Sequence, residues 1–592
     1  MKLEYFTSQK DNLDKQIKQL ESATFKISML RLLVGLSIIV LLLVSYFYKV
    51  DLLVYVCFLL LVIFMGLVYY YNKLNQKLSY LKAKAQVVLR YLQCFNHDWK
   101  EFEETGSEFF SEMSGPVKDL DLAGQNSLYQ FLNTATSSLG KKRLIDKLTR
   151  KSFDYKAIIQ EQQAVEELGE KLDFVLETET YGKMTKEYYL GERAVNDFLK
   201  LIKDHNSSNK LTFLNYLIPV ITIVAILLFC FKIGFQYMII LVPLLIMGQL
   251  FFAALMLLKN RELFDCSAKL SSSLEYYLNV CNLVSEDDFN ANHLQIIKTD
   301  LQAALLHLKQ LKKISDMIKQ RNNLLAFLLL NGLLLWDRNC YSRLNQWIDD
   351  HGNQLEHWLK QIGELESLIS LQVLIQTKTG VSMPSIVDEH KPVLEFQDAY
   401  HPLLASNEAV ANSFKMERQV AIITGSNMSG KTTFLRTVGI NLVLAYAGGP
   451  VMAKSFTCSL MQLFTSMRIE DDIEGISTFY GELLRIKEIV EENRTRKVMI
   501  ALIDEIFKGT NSADRIIGAR ETVKQLSSSN IFTLITTHDF ELCELENEVS
   551  CTNYHFEEYY QDDKIKFDYR IKDGRSKTTN AQYLLKMVGI IE

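Results

Sequence analysis

Residues 425–433 read Gly-Ser-Asn-Met-Ser-Gly-Lys-Thr-Thr, a spacing suited to gripping a phosphate chain. Gly425, Gly430, Lys431 and Thr432 fill the fixed places of the pattern G-x-x-x-x-G-K-[ST]. Glycines are needed because a side chain would keep backbone N–H groups away from the phosphate oxygens. Lys431 is expected to reach the β- and γ-phosphates, and the Thr432 hydroxyl to ligate Mg²⁺. The whole loop, with Ser426, Asn427, Met428, Ser429 and Thr433, is the candidate site for ATP. Its flanks agree: residues 420–424 read as a buried strand, and 434–446 as a helix whose positive end faces the phosphates. Further on, residues 497–505 are an apolar run closing on two carboxylates, the Walker B pattern. Asp504 would hold Mg²⁺ through water, and Glu505 is placed to polarise an attacking water. Another apolar run, 531–538, reads as a strand ending in His538.

The elements around this chemistry are of a different kind. At 592 residues the chain holds more than one domain. Lys and Arg total 65 against 70 Asp and Glu, a net charge of −5, so no global basic field advertises nucleic acid. Nine scattered cysteines with no C-x-x-C read as reduced thiols, neither zinc ligands nor a disulfide framework. Only 7 prolines and 26 glycines point to a mostly helical protein. Residues 32–48 and 52–71 are almost wholly apolar, as are 211–231 and 233–258, each close to the ~20 residues that cross a bilayer. Pro219 and Pro243 inside the second pair are tolerated in membrane helices. Lysines and arginines flank both pairs, so both hairpins should begin and end in the cytoplasm. A third apolar run, 324–336, contains Asn331 and is too short to span; it reads as a core helix. Residues 75–210 and 260–375 show helical periodicity.

Residues 126–144 (with Thr134, Thr136, Gly140 and Leu144) and Gln163 to Glu166 resemble the start of the core, or lever, domain of the MutS mismatch-repair family. Also similar to that family are His401-Pro-Leu-Leu404, the Asn427-Met428 pair inside the loop, 447–453, and 468–479 with Glu482. The Gly509-Thr-Asn511 stretch continues the likeness, with Phe507-Lys508 where the family usually has a Gly-Arg region. Taken with the apolar runs, which give the four transmembrane helices, the resemblance implies a mixed fold: a mainly α N-terminal half with those helices and a long-helix lever, then an α/β P-loop (ABC-type) ATPase domain. It divides the chain into an N-terminal helix (1–31), a first hairpin (32–71), a first lever segment (72–210), a second hairpin (211–258), a second lever segment (259–389) and the ATPase domain (390–592). It implies that Ser477 and Thr478 contact the γ-phosphate held by a partner subunit, and hence a homodimer through the ATPase domains. It makes His538 the γ-phosphate sensor, and DNA a partner by analogy.

Departures bear on function. No Phe-x-Glu wedge motif is present, and the second hairpin sits where a DNA-gripping clamp is expected. Ala409 and Val410 stand where the family often carries an aromatic for adenine, and the chain stops at Glu592, about where a dimerisation arm would begin. The expectation is a multi-pass ATPase of the cytoplasmic (inner) membrane, N-terminus and ATPase domain in the cytoplasm, moving helical levers and acting on mismatched DNA if on DNA at all. The alternative is an ABC-type transport or membrane-remodelling component that binds no DNA.

Overall fold

The computed structural model describes the chain except residues 1, 185–187, 204–213, 322, 390, 406–407, 427, 469–477, 496, 509–510, 528–529, 562–563 and 576–592. Two long helices come first, α1 (Lys2–Tyr48) and α2 (Leu52–Asn96), antiparallel across a turn where Lys49 is left-handed (φ 54°). At about 1.5 Å per residue each is roughly 70 Å long. The composition change at residue 31 is no backbone boundary: polar leader and apolar run are one helix. The polar ends pack on the helical body, where Phe6 stacks on Tyr91 at 4.9 Å. Over 32–71 the apolar side chains instead face outward, Leu36, Ile39, Leu43 and Phe58 among them.

Single turns α3 (Pro116–Asp119) and α4 (Leu128–Leu132) lead into α5 (Ser138–Leu148), α6 (Tyr155–Glu170), α7 (Leu172–Met184) and α8 (Tyr188–Lys203). Helix α5 starts where the Ser137 hydroxyl accepts from Gly140 N, and α6 where the Asp154 carboxylate accepts from Lys156 N and Ala157 N. A second hairpin, α9 (Leu214–Cys230) and α10 (Phe235–Lys259), precedes α11 (Arg261–Glu286), α12 (Asn292–Gln320), α13 (Leu324–Leu334) and α14 (Trp336–Thr377). The 42-residue α14 is the spine of this region and packs on α5, α6 and α12. Where it crosses α5, a Cβ on Gly363 would stand 2.9 Å from Gly140 N, so only glycine allows the approach. Just beyond, the fully buried Glu366 accepts from Thr136 N (3.0 Å), Ser137 N (2.9 Å) and the hydroxyls of Ser137 and Tyr276. A carboxylate is well placed there, against the positive end of α5.

Two sequence expectations need correction. Among the described residues three helices, not four, are long and apolar enough to cross a membrane: α1, α2 and α10. The fourth, α9, has 17 residues, which at about 1.5 Å each reach roughly 25 Å, short of a ~30 Å hydrocarbon layer. The run expected as a core helix, α13, is not buried: Leu324, Leu325, Leu328 and Leu329 are all exposed. Length excluded a span but could not say what surrounds the helix.

The C-terminal region is α/β. A four-stranded sheet has the order β1 (Ser385–Val387), β5 (Ser455–Ser459), β2 (Leu394–Ala399), β3 (Asn412–Lys415). Beside it lies a six-stranded sheet containing β4 (Val420–Thr424), β6 (Gln462–Ser466), β7 (Met499–Ile503), β8 (Ile531–Thr537), β9 (Cys551–Gln561) and β10 (Lys564–Asp573), in the order β10-β9-β4-β8-β7-β6. All its pairs are parallel except β10 with β9. Every residue of β4, β7 and β8 is buried, as parallel strands covered on both faces require. The associated helices are α15 (Lys431–Tyr446), α16 (Thr478–Asn493) and α17 (Ser512–Leu526). Register sets Thr424 beside Thr537 and Ile503 beside Ile535, so the three buried strands end together. In such sheets ligands bind beyond the carboxyl ends of the strands.

Candidate functional site

The glycine loop joins β4 to α15 across those strand ends. Gly425 (φ 152°) and Gly430 (φ 108°) both occupy backbone space that other residues rarely adopt. A Cβ on Gly425 would stand 2.8 Å from Ser429 Oγ and 2.9 Å from the Phe556 carbonyl oxygen. The loop is thus drawn tight, with its N–H groups near the N-terminus of α15. Ser429 Oγ is buried there with no hydrogen-bond partner among the described residues. Buried Lys431 turns back to donate to the Gly425 and Ser426 carbonyls, both at 2.8 Å. Burial lowers its pKa, while Glu505 and Asp504 work against the shift.

Strand β7 brings both carboxylates, and its neighbour β8 brings their partners. Asp504, the first residue beyond β7, accepts from Thr432 Oγ1 at 2.8 Å and from Thr536 Oγ1 at 2.6 Å. Glu505 follows in a left-handed conformation (φ 54°), its N–H held by the Thr536 hydroxyl at 2.9 Å. That turn aims its carboxylate at His538 Nε2 (3.0 Å) and Lys508 Nζ (3.0 Å). Burial works to raise the Glu505 pKa, but Lys508 and His538 outweigh it and hold the carboxyl below its ordinary value. Behind the turn, Glu482 of α16 accepts from Phe507 N, and burial raises its pKa.

Of the residues expected at the site, Gly425, Ser426, Met428 to Thr433, Asp504, Glu505 and His538 surround one set of strand ends. Asn427 and Ser477 lie outside the described residues, and Thr478 is the first residue of α16. Four neighbours escaped sequence reasoning. Thr536 holds both acidic residues, a role set by the pairing of β7 with β8. Lys508 pairs with Glu505. Glu558 of β9 takes the Ser426 hydroxyl. Tyr569, left-handed at a register shift between β9 and β10, sets its ring beside Gly430, where a Cβ would meet it at 3.2 Å. Only Thr536, two positions before the histidine that ends an apolar run, carried any local signal.

The donor set fits a nucleotide and a hard cation. Oxygen ligands alone, the Thr432 hydroxyl and the Asp504 carboxylate, are what Mg²⁺ prefers. Gly425 and Gly430 let the loop draw in against Ser429, Phe556 and Tyr569, leaving its backbone N–H groups uncovered by side chains of their own.

A polar cluster ties this site to the helical body. Asp119, fully buried at the end of α3, accepts from Thr465 Oγ1 (2.6 Å), Arg468 N (3.0 Å) and Met467 N (3.2 Å). It also pairs with Arg485 of α16 at 3.2 Å. Nearby Asp121 pairs with Arg436 of α15 (3.0 Å) and Arg468 (2.6 Å).

Fold and site together define a largely parallel α/β domain with a glycine loop at its strand ends, coupled to a long-helix body. Residues 421–591 match the family described as MutS domain V. Similar proteins include the DNA mismatch repair protein MutS of Persephonella marina, 31% identical over 260 residues, 43% of this chain and 29% of that protein. MutS of Aquifex pyrophilus is 33% identical over 239 residues, 39% of this chain and 27% of that protein. MutS of Leptospira interrogans is 28% identical over 268 residues, 43% of this chain and 31% of that protein. The matched stretch thus spans under a third of these relatives' length. Over these residues the chain is similar to the MutS family, and its domain V is the part that the likeness reaches.

Proposed function

We propose that the chain is a membrane-embedded, MutS-like ATPase that binds and hydrolyses ATP with Mg²⁺ and uses the cycle to move its long helices. The observation that carries this reading is the convergence of Lys431, the Thr432–Asp504 pair and the Glu505–His538 pair at the ends of adjacent parallel strands. In this reading residues 390–592 are the catalytic unit, 72–210 and 259–389 the lever, and 32–71 and 211–258 the anchor.

Lys431 would leave the loop carbonyls for the β- and γ-phosphates, and loop N–H groups would take the remaining oxygens. Thr432 and Asp504 would hold Mg²⁺, which when bound neutralises charge developing on the phosphates. Glu505 would orient the attacking water and accept its proton, with His538 fixing the carboxylate and sensing the γ-phosphate. Tyr569 is the aromatic placed to pack on the nucleotide where Ala409 and Val410 offer none.

Exposed apolar side chains on the loop, α16 and α17 (Met428, Tyr480, Leu484 and Ile517) support a second copy closing over the nucleotide. Ser477 and Thr478 would then come from the partner. Movement would reach the lever through Asp119 and Asp121. Hairpin α1–α2, whose two helices are long enough to span, anchors the chain and brings both of its polar ends back to the helical body on one side of the membrane. That side is the cytoplasm, where ATP is. DNA comes to this reading only from the relatives' names. The second hairpin offers a transport function one buried polar pair, in which Gln249 Nε2 donates to Thr222 Oγ1 at 2.6 Å.

The test is ATP turnover of the detergent-solubilised protein beside Glu505→Gln, without DNA, with homoduplex and with mismatched duplex. The substitution should lower turnover by about 10²–10⁴-fold while nucleotide still binds. Normal turnover in the variant would overturn the assignment of the base. A rate changed more by mismatched duplex than by homoduplex would add DNA sensing; no change would leave a membrane task alone.

A further inference from the structure

We propose that α13 is an additional lipid-contacting element, seated in the hydrocarbon layer beside α10. The inference rests on the membrane reading of the hairpins and extends it to a helix too short to span.

Helix α13 is inside out relative to a helix in water. Leu324, Leu325, Leu328 and Leu329 fall on one face at i, i+1, i+4 and i+5, and the first two are each 71% exposed. Its one polar side chain, Asn331, is fully buried and accepts from Asp337 N at 2.9 Å. The buried face lies against the second hairpin: a Cβ on Gly332 would meet Ile246 Cγ2 at 3.2 Å and Leu250 at 3.9 Å. Those two residues are one turn apart on α10.

The hairpin shows the same inversion. Gln249 and Thr222 bond to each other in its interior, while Leu244, Met247 and Phe251 face outward. Polar groups turned inward to a partner helix, with leucines outward, suit a hydrocarbon solvent. The leucine stripe of α13 therefore continues the exterior of α10, and acyl chains are the occupant that covers both. The ends of α13 also suit that medium. Asn323 Oδ1 accepts from Leu325 N (3.0 Å) and Ala326 N (3.3 Å), and Leu335, left-handed, donates its N–H to Asn331 O (3.3 Å). Two N–H groups at one end and a carbonyl at the other, which lipid would leave unsatisfied, are thus closed locally. At about 1.5 Å per residue the helix covers roughly 16 Å, about half of a hydrocarbon layer.

The experiment places a nitroxide at Leu328→Cys, and separately at Leu329→Cys, in the full chain with Cys230 and Cys266 replaced by serine. Proteoliposomes of phosphatidylethanolamine and phosphatidylglycerol are probed with oxygen, which concentrates in lipid, and with a water-soluble nickel chelate. Leu244→Cys on α10 is the lipid reference and Leu306→Cys on α12 the aqueous one; both parent side chains are exposed. Both α13 labels should match Leu244, with oxygen collisions several-fold favoured over nickel. Nickel access like that at Leu306, while Leu244 reads lipid, would overturn the assignment of α13 alone. Aqueous readings at Leu244 as well would overturn the membrane reading beneath it. Protection from both probes would put protein, a second copy included, over the stripe and also overturn the proposal. Each variant is used only if it elutes from size exclusion as the parent does.

Discussion

The six-stranded sheet and the α9–α10–α13 group bury opposite kinds of side chain. In the sheet, β4, β7 and β8 are buried at every position, and the polar chemistry gathers where the strands stop. In the helical group Thr222, Gln249 and Asn331 are inside and the leucines outside. One rule produces both arrangements: each surface matches its solvent, and a polar group taken from water must find a partner. Asp504 and Glu505 find theirs in Thr432, Thr536, Lys508 and His538, groups that a nucleotide and a cation could replace. Gln249 and Thr222 have each other, which marks a structural contact and not a site. The two regions communicate only if something rigid joins the sheet to the helical body, and the Asp119 cluster is one such joint beside the shared core.

Breaking that joint should have the largest effect. Asp119→Ala leaves Arg485 without its buried partner and strips acceptors from Thr465, Met467 and Arg468. Removing one member of a buried pair costs about 3–5 kcal/mol. Thermal unfolding in detergent should show a strongly destabilised protein, and ATP turnover should fail well below the temperature at which the parent loses it. A melting profile like the parent's would mean that the sheet and the helical body do not lean on this carboxylate.

A second effect depends on pH and belongs to the helical body. Glu179 is fully buried in α7, where it accepts from Tyr91 Oη at 2.9 Å. Burial raises its pKa to about 7, against the pull of Arg90. Because the folded pKa lies above the ordinary carboxylate value, the folded state binds this proton more tightly than the unfolded chain does. The stabilisation is complete below about pH 4.5 and is lost as pH rises through about 7. The full span corresponds to about 3 kcal/mol. Glu179→Gln should remove this slope, so the parent gains stability relative to the variant on going from pH 8 to pH 5. Parallel melting curves across that range would show that Glu179 is ionised in the fold.

Gln249→Leu tests the other side of the comparison. The Gln249–Thr222 bond lies between helices, where such contacts average about 0.6 kcal/mol. Loss of it should lower unfolding temperature slightly and leave ATP turnover untouched. A variant that turned over ATP normally but no longer entered liposomes would give the pair a role in insertion.

What the sequence revealed follows the same divide. Residues 425–432 and the Asp504–Glu505 pair were legible because the geometry of a phosphate chain and a strand end is written in consecutive residues. Thr536 was not, since its bond to Asp504 exists only through the register of β7 on β8. Tyr569 was hidden for a like reason: a bulge in a hairpin swings it onto the loop. The apolar runs were visible, yet α13 was misplaced because hydropathy reports that a helix avoids water without saying whether protein or lipid replaces it. Composition changes at residue 31 while the hydrogen bonding does not, so the polar leader and the apolar run share one helix, α1.

The smallest effect is the most informative about the site. Lys508 holds Glu505 Oε2 at 3.0 Å while His538 holds Oε1 at 3.0 Å, so both carboxylate oxygens are engaged by the chain itself. A carboxylate clamped on both oxygens has less freedom to take a proton from water, and one clamp must yield before it acts. Lys508 is half exposed, so its ion pair is screened and worth about 0.2–1 kcal/mol. Lys508→Ala should therefore raise turnover without DNA by at most about fivefold, with little change in KM, while Lys508→Arg stays near the parent. His538→Ala should move the other way, because His538 emerges from the strand that also positions Thr536 and steadies the carboxylate in its working direction. If Lys508→Ala instead slows turnover as His538→Ala does, the lysine aligns the base. The Glu505 clamp would then belong to the working site and not to its resting state.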